Sequence, residues 1–285
     1  MIGIVLAIAY IAVCIFLVFL QQLFIFFPSS VIEITPENVN LSYEDVWLSV
    51  SSEKGKLEKI HGWWIPANSD TLNRGVLLYF HGNGINIGAN VEQVYRFHKL
   101  GFDVLLIDYR GYGLSTGNFP SEAQIYQDVE IVWNYLVNQR EITPQNILVY
   151  GHSLGGAIAI ELATRHPKMA GLIIQSSFTS IHDMVDYQGG FYRFFPIKLL
   201  LHQKFDSITK LRKLDIPIML IHGMEDLSVP ASMSEKLFAV TPAKIKDLYM
   251  VPGANHNNVA AIAGDEYLDR VNKFINQLKV VGSRF

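Results

Sequence analysis

A chain of 285 residues with a net charge of −3 and no cluster of lysine or arginine lacks the electrostatic footprint of a nucleic-acid binder. Its one cysteine, Cys14, excludes an internal disulfide, so the fold does not depend on an oxidising compartment. The length suffices for one large hydrophobic core of the α/β kind.

The N-terminus differs in composition from the rest. From Met1 to Ile32 no side chain is charged, and Ile2 to Leu20 is almost wholly aliphatic or aromatic. Leu23-Phe-Ile-Phe-Phe27 continues the run after Gln21 and Gln22. About 20 apolar residues in a helix span the hydrocarbon core of a bilayer. A cleaved signal peptide calls for a basic start, a shorter apolar run and a small-residue cleavage site, and none of these stands out. A fully buried helix of this length is rare in a small enzyme. The expectation is therefore an uncleaved, single-pass transmembrane anchor over residues 1–27, contacting the lipid bilayer through residues 2–27, with a linker over 28–44. No Lys or Arg precedes the anchor and the first after it is Lys54, so the positive-inside rule has little to count.

Beyond Pro28 strands and helices alternate. Val46–Val50 and Leu57–Trp64 read as strands joined by a Ser-Glu-Lys-Gly turn, an antiparallel entry to the sheet. Gly75–Phe80 and Phe102–Ile107 are continuous apolar runs, as in strands buried on both faces. Between them a helix over Ala89–Leu100 closes on Gly101. Glu122–Asn138 carries Ile125, Val129, Val132, Trp133 and Leu136 on one helical face, with Ser121 as N-cap. Further strands fall at Asn146–Tyr150, Gly171–Gln175, Pro217–His222 and Lys246–Val251, and further helices at Ala157–Ala163, Ala231–Val240 and Asp265–Leu278. This alternation predicts a mostly parallel central sheet with helices on both faces, covering residues 45–280. Ligands in such sheets bind beyond the carboxyl ends of the strands. One segment, 177–214, is too long for a simple connection and densely aromatic around Gln188–Pro196, and is read as a cap over the site.

The chemistry centres on Gly151-His-Ser-Leu-Gly-Gly156, a G-x-S-x-G between a strand and a helix. That context makes a nucleophile elbow, a strained turn that lifts the serine hydroxyl above the sheet. Ser153 is the candidate nucleophile. A serine hydroxyl needs a base, and the base needs an orienting acid. Asp226 follows the strand ending at Ile221, and His256 follows the last strand, in the chain order this chemistry requires. Glu225 competes with Asp226 for the acid role. The oxyanion donors are expected to be the N–H of Leu154, at the start of a helix, and that of Asn83 in His81-Gly-Asn-Gly84, with Gly84 as the alternative. His81 and His152 read as structural neighbours. Ser207-Ile-Thr-Lys210 fits S-x-x-K but lacks its partner motifs, and the nine histidines show no zinc-binding spacing, so no metal or other cofactor is expected.

These pieces together resemble an α/β-hydrolase, and more narrowly the membrane-anchored α/β-hydrolase domain-containing serine hydrolases. The residues that carry the resemblance are His81–Gly84, Asp108-Tyr-Arg-Gly-Tyr-Gly-Leu-Ser115, Pro120-Ser-Glu122, Gly151–Gly156, Phe205-Asp-Ser207 and His222-Gly-Met-Glu-Asp226. The resemblance implies an α/β-hydrolase fold and hydrolysis of esters or thioesters. One branch removes palmitate from proteins, but the cysteine-rich N-terminal tail of that branch is replaced here by an apolar span. The expected activity is cleavage of a carboxylic ester or thioester with a hydrophobic acyl group, through an acyl-enzyme on Ser153. An amidase or peptidase would use the same residues, and a catalytically silent membrane-tethered scaffold would keep only the fold.

Overall fold

Apolar runs without alternation become strands buried on both faces, and here they build one large sheet. The computed structural model describes residues 1–51, 55–68 and 73–280. The main sheet contains β1 (Glu44–Ser51), β2 (Leu57–Ile65), β3 (Val76–Phe80), β4 (Asp103–Ile107), β5 (Ile147–His152), β6 (Gly171–Gln175), β7 (Ile218–Gly223) and β8 (Lys246–Val251). Their spatial order is β1-β2-β4-β3-β5-β6-β7-β8. Only the β1–β2 and β2–β4 pairings are antiparallel. Residues 52–54 of the expected β1–β2 turn lie outside the described residues.

The longer helices are α1 (Ile2–Phe19), α2 (Val91–Lys99), α3 (Glu122–Asn134), α4 (Leu154–Arg165), α5 (Ile181–Gln188), α6 (Ser232–Val240) and α7 (Asp265–Val280). Alternate strand residues enter opposite cores. Val76, Leu78 and Phe80 pack with α3, α4 and α6, while Leu77 and Tyr79 pack with α2 and α7. The helix expected over Ala89–Leu100 begins instead with a 3₁₀ turn at Ile87–Asn90. The helix expected to run to Asn138 is α-helical only to Asn134, and a π turn covers Tyr135–Gln139. Arg140 accounts for the change: its N–H bonds the Tyr135 carbonyl, its Nε the Tyr135 hydroxyl, and its guanidinium lies 4.4 Å from the Trp64 ring centroid.

Two features position the site. The loop after β4 is held by buried Arg110, whose Nε donates to both Asp128 oxygens on α3 at 2.9 Å and whose Nη1 lies 3.3 Å from Glu58. From the same loop, the hydroxyls of Tyr109 and Tyr112 donate to the carbonyls of His81 and Asn83, supporting the 81–84 loop from one side. The segment 177–214 contains α5, a 3₁₀ turn at Gly190–Phe194 and short helices at Ile197–Leu200 and Ser207–Leu211. Its return is clamped by the Glu122 carboxylate, which accepts the N–H groups of Lys204 and Phe205 at 2.5 and 2.8 Å.

Residues 21–41, expected to be the end of the anchor and most of a linker, are in contact with the body. Phe26 is buried, with its ring edge-on to Phe205. Phe27–Pro28 pair in parallel with Gly84–Ile85, and Leu41 joins the core. Preceding them, α1 is, among the described residues, the one helix long and apolar enough to cross a membrane.

Removing one member of a buried ion pair leaves the other charge without compensation. Arg110→Met is expected to lower the unfolding free energy by about 3–5 kcal/mol in urea titrations, whereas Glu44→Gln at the exposed pair with Arg140 should change it by less than about 1 kcal/mol.

Candidate active site

The turn between β5 and α4 places Ser153 at φ +53° and ψ −116°, a backbone region that L-residues rarely occupy. Hydrogen bonds hold it there. Its N–H donates to the Gln175 carbonyl on β6, and its carbonyl accepts the Gly156 N–H and the Ser177 hydroxyl. The flanking glycines have a steric reason. A Cβ on Gly151 would strike the Gly155 carbonyl, one on Gly155 would strike the carbonyl of Phe80 at the end of β3, and one on Gly156 would lie 2.6 Å from the Ser177 Cβ. Leu154 opens α4, so its N–H is among those without an intrahelical acceptor at the positive end of the helix dipole.

Asp226 lies in the loop after β7 and its carboxylate is buried. Oδ1 accepts the N–H groups of Ser228 and Val229 at 2.8 and 2.9 Å. Oδ2 accepts His256 Nδ1–H at 2.6 Å and His222 Nε2–H at 3.1 Å. Burial pushes the carboxyl pKa up, but the hydrogen bonds from His222, His256 and the Val229 N–H outweigh it and hold the group well below the usual carboxylate range. Glu225, the competing acid, is exposed. The bond to Asp226 assigns the His256 proton to Nδ1 and leaves Nε2 as the basic nitrogen.

His222 is the residue that motif reading passed over. It is buried, with Nε2 between two acceptors, Asp226 Oδ2 and the Val229 carbonyl, and Nδ1 2.7 Å from the Ser234 hydroxyl. Two acceptors at Nε2 place a proton there, with Nδ1 facing the Ser234 hydroxyl. Its sequence signal was the four-residue spacing to Asp226 at the end of one strand. His81 and His152 are structural neighbours in the geometry as well. His81 Nδ1 lies 2.7 Å from the Gly82 carbonyl. His152 Nε2 lies 3.2 Å from the His256 carbonyl, its ring 5.1 Å from that of His256. Burial, with the adjacent His256, pushes the His152 pKa down to about 4, so this ring is neutral near pH 7.

Asn83 faces the same space. Its carbonyl accepts the Phe27 N–H at 2.8 Å and the Tyr112 hydroxyl at 2.7 Å, and its amide donates to the Ile25 carbonyl at 2.9 Å. Gly84, the alternative donor, is paired with Phe27. Two cavities meet at Asn83, Ser153 and His256. One, of about 380 Å³, is apolar and runs under the cap, lined by Phe178, Ile181, Met184, Leu200 and Leu201 together with Leu17 and Phe24 from the N-terminus. The other, of about 610 Å³, is the more polar of the two, with Glu92, Gln93, Arg96, Gln175 and Asn257 in its wall beside Ile85 and Ala260. Among the described residues, one group of metal-ligating side chain types, His182, Asp183 and Asp186, lies on α5 of the cap and is partly exposed.

The sequence model of the family described as serine aminopeptidase, S33, matches residues 71–210, which include Ser153 and end before Asp226 and His256. An uncharacterized protein of Mycobacterium tuberculosis is 32% identical over 92% of this chain and 89% of its own length. Protein bem46 of Schizosaccharomyces pombe is 32% identical over 85% and 79%. The α/β-hydrolase domain-containing protein WAV2 of Arabidopsis thaliana is 31% identical over 82% and 79%. Among solved structures, an esterase of Pyrococcus furiosus superposes with a TM-score of 0.68 at 22% identity, covering 88% of this chain and 98% of the other. A soluble variant of monoglyceride lipase from Saccharomyces cerevisiae, in complex with a substrate analog, gives 0.61 at 18% identity over 88% and 98%.

Two outcomes test this geometry. Relief of backbone strain at Ser153 is worth about 1–3 kcal/mol, less about 0.5–1 kcal/mol for glycine's unfolded-state entropy, so Ser153→Gly should be about 1 kcal/mol more stable than Ser153→Ala in urea unfolding. His152 is depressed when folded, so below the unfolded value of 6.5 the unfolded chain takes up the proton first. Its contribution is therefore complete above pH 6.5 and falls away as pH drops toward 4, by about 3 kcal/mol in all. In His152→Gln that part of the acid slope should disappear from unfolding free energies measured between pH 4 and 7.

Proposed function

Because the chain belongs to the α/β-hydrolase domain-containing family, whose fold it shares, we propose that it is a membrane-anchored serine hydrolase that cleaves carboxylic esters or thioesters bearing a hydrophobic acyl group. The observation that carries the reading is the 2.6 Å bond from His256 to the buried Asp226 carboxylate, beside an apolar cavity that His256 shares with the strained Ser153. In this mechanism His256 Nε2 takes the proton from Ser153 Oγ as that oxygen attacks the acyl carbonyl carbon. The oxyanion receives the N–H groups of Leu154 and Asn83, one such donor being worth about 100- to 1000-fold in turnover. The intermediate collapses as His256 returns the proton to the departing alcohol or thiol. Water, deprotonated by His256, then releases the acid from Ser153. Asp226 remains ionised throughout and keeps His256 in the tautomer with Nε2 free.

The two cavities suit the two halves of such a substrate, the acyl chain under the cap and the more polar leaving group on the side of Gln93 and Arg96. Hydrolysis of peptides from the amino end is a second reading, favoured by the description of the matching family model. An aminopeptidase needs a carboxylate to receive the substrate ammonium group; among the described residues none lines the cavity under the cap, and Glu92 in the wall of the other cavity is the one that could serve. The anchor is assigned to α1, whose 18 residues give a helix of about 27 Å against a hydrocarbon core of about 30 Å.

Labelling by a fluorophosphonate tests the chemistry. The folded wild type should label at Ser153, Ser153→Ala should not, and Asp226→Asn should lose about 10⁴-fold in kcat toward a p-nitrophenyl ester. A folded wild type that stays unlabelled would sink the proposal. Faster turnover of an amino-acid p-nitroanilide than of a fatty acyl p-nitrophenyl ester would transfer it to the peptidase reading.

A further inference from the structure

The N-terminal helix packs along the cap by one face. Val13, Cys14, Leu17 and Val18 are half-buried, while residues such as Ile4 and Ile8 on the remainder of α1 are exposed. Contacts occur at two levels. Near the exit, buried Gln21 donates from Nε2 to the Leu200 carbonyl at 2.6 Å and accepts the N–H groups of His202 and Gln203 at 3.1 and 3.2 Å. About 15 Å further along the helix at 1.5 Å per residue, the Tyr10 hydroxyl donates to the Phe194 carbonyl and its ring stacks on Phe195. The cap therefore extends beside the helix to about half its length. The side chains it presents outward there include the apolar Phe194 at 68% and Leu199 at 85% exposure, beside the exposed cations Arg193 and Lys198. On a helix that crosses a bilayer, this part of the cap abuts the membrane, where Phe194 and Leu199 meet lipid and the long side chains of Arg193 and Lys198 reach the headgroups.

Leu17 of α1, Gln21 in the turn that follows it and Phe24 in the short helix Gln22–Ile25 all line the cavity that ends at Ser153. We propose that the N-terminal helix is one wall of the acyl-chain subsite, and that a lipid-borne acyl group reaches Ser153 from the leaflet through the cleft between this helix and the cap. The proposal rests on the serine-hydrolase and anchor readings above and adds the route and the specificity-determining residues. The segment after the helix strengthens the link, because Ile25 and Phe27 hydrogen-bond Asn83, so the wall of the subsite and the oxyanion loop are joined through three consecutive residues, Ile25 to Phe27.

The experiment uses the full-length protein in detergent micelles and in phosphatidylcholine vesicles. A fluorophosphonate carrying a decyl chain with a terminal diazirine is attached to Ser153, irradiated, and its insertion site located by mass spectrometry. Insertion into residues 14–24 or into the facing cap residues 197–201 is expected. Insertion confined to the polar cavity, at Gln93, Arg96 or Ala261, would overturn the proposal. A second measurement follows the ratio of kcat/KM for dodecanoyl over butanoyl p-nitrophenyl esters. Leu17→Trp should lower that ratio at least about tenfold, with the lipid-facing control Ile8→Trp within about twofold of wild type, and a ratio unmoved in Leu17→Trp contradicts the assignment. Absence of any labelling in the wild type would instead remove the hydrolase reading, and this one with it.

Discussion

The site depends on how closely the first turn of α4 approaches β3. Ser153 sits in a left-handed conformation that costs about 1–3 kcal/mol, and it is kept there by contacts that only glycine permits at 151, 155 and 156. The contact of Gly155 with the Phe80 carbonyl has the widest consequence. It seats the serine turn against the end of β3, so the loop continuing from Phe80 must pass beside Ser153, and Asn83 follows within three residues. One steric fit thus sets the serine and the 81–84 loop relative to each other. Tyr109 and Tyr112 then hold that loop from the side of β4, and Arg110 holds the loop that carries the tyrosines.

Charge is managed at the opposite side of Ser153 by concentrating donors on one carboxylate. Asp226 receives two backbone N–H groups and two imidazole N–H groups, enough to keep it ionised despite burial. His222 and His256 approach the same oxygen with different surroundings. His222 is enclosed and its second nitrogen is occupied by Ser234, whereas His256 lines both shared cavities. His152, packed beside His256, is neutral near pH 7 and adds no positive charge that would discourage protonation of its neighbour.

The N-terminal residues belong to the architecture of the site as well as preceding it. Gln21 ties the end of the apolar run to the cap, Phe26 enters the core against Phe205, and Phe27 adds a short parallel pairing beside Asn83. Gln203 extends the connection, accepting the Glu122 N–H at 2.6 Å while Glu122 itself holds the cap's return. Through these bonds the cap, the N-terminal helix and the loop at 81–84 share partners.

The sequence by itself determined the sheet, the elbow and the order of the chemical residues, because these are local properties. Continuous apolar runs specify buried strands, and a G-x-S-x-G between strand and helix specifies a tight turn whose flanking positions here leave no room for a Cβ. Asp226 and His256 were legible because each follows a strand directly, so connectivity alone carries them to the sheet edge where Ser153 stands. Helix ends were less legible: the π turn after Asn134 answers to Arg140 and Trp64, residues beyond the helix pattern. What only the tertiary structure decided are the contacts across long separations. That Gln21 would be buried against residues 200–203, that Phe27 would border Asn83, and that Leu17 would line a cavity ending at Ser153 follow from packing between segments with no periodicity in common. An apolar run reads the same whatever covers it, and only the folded arrangement shows which of its residues the rest of the protein covers.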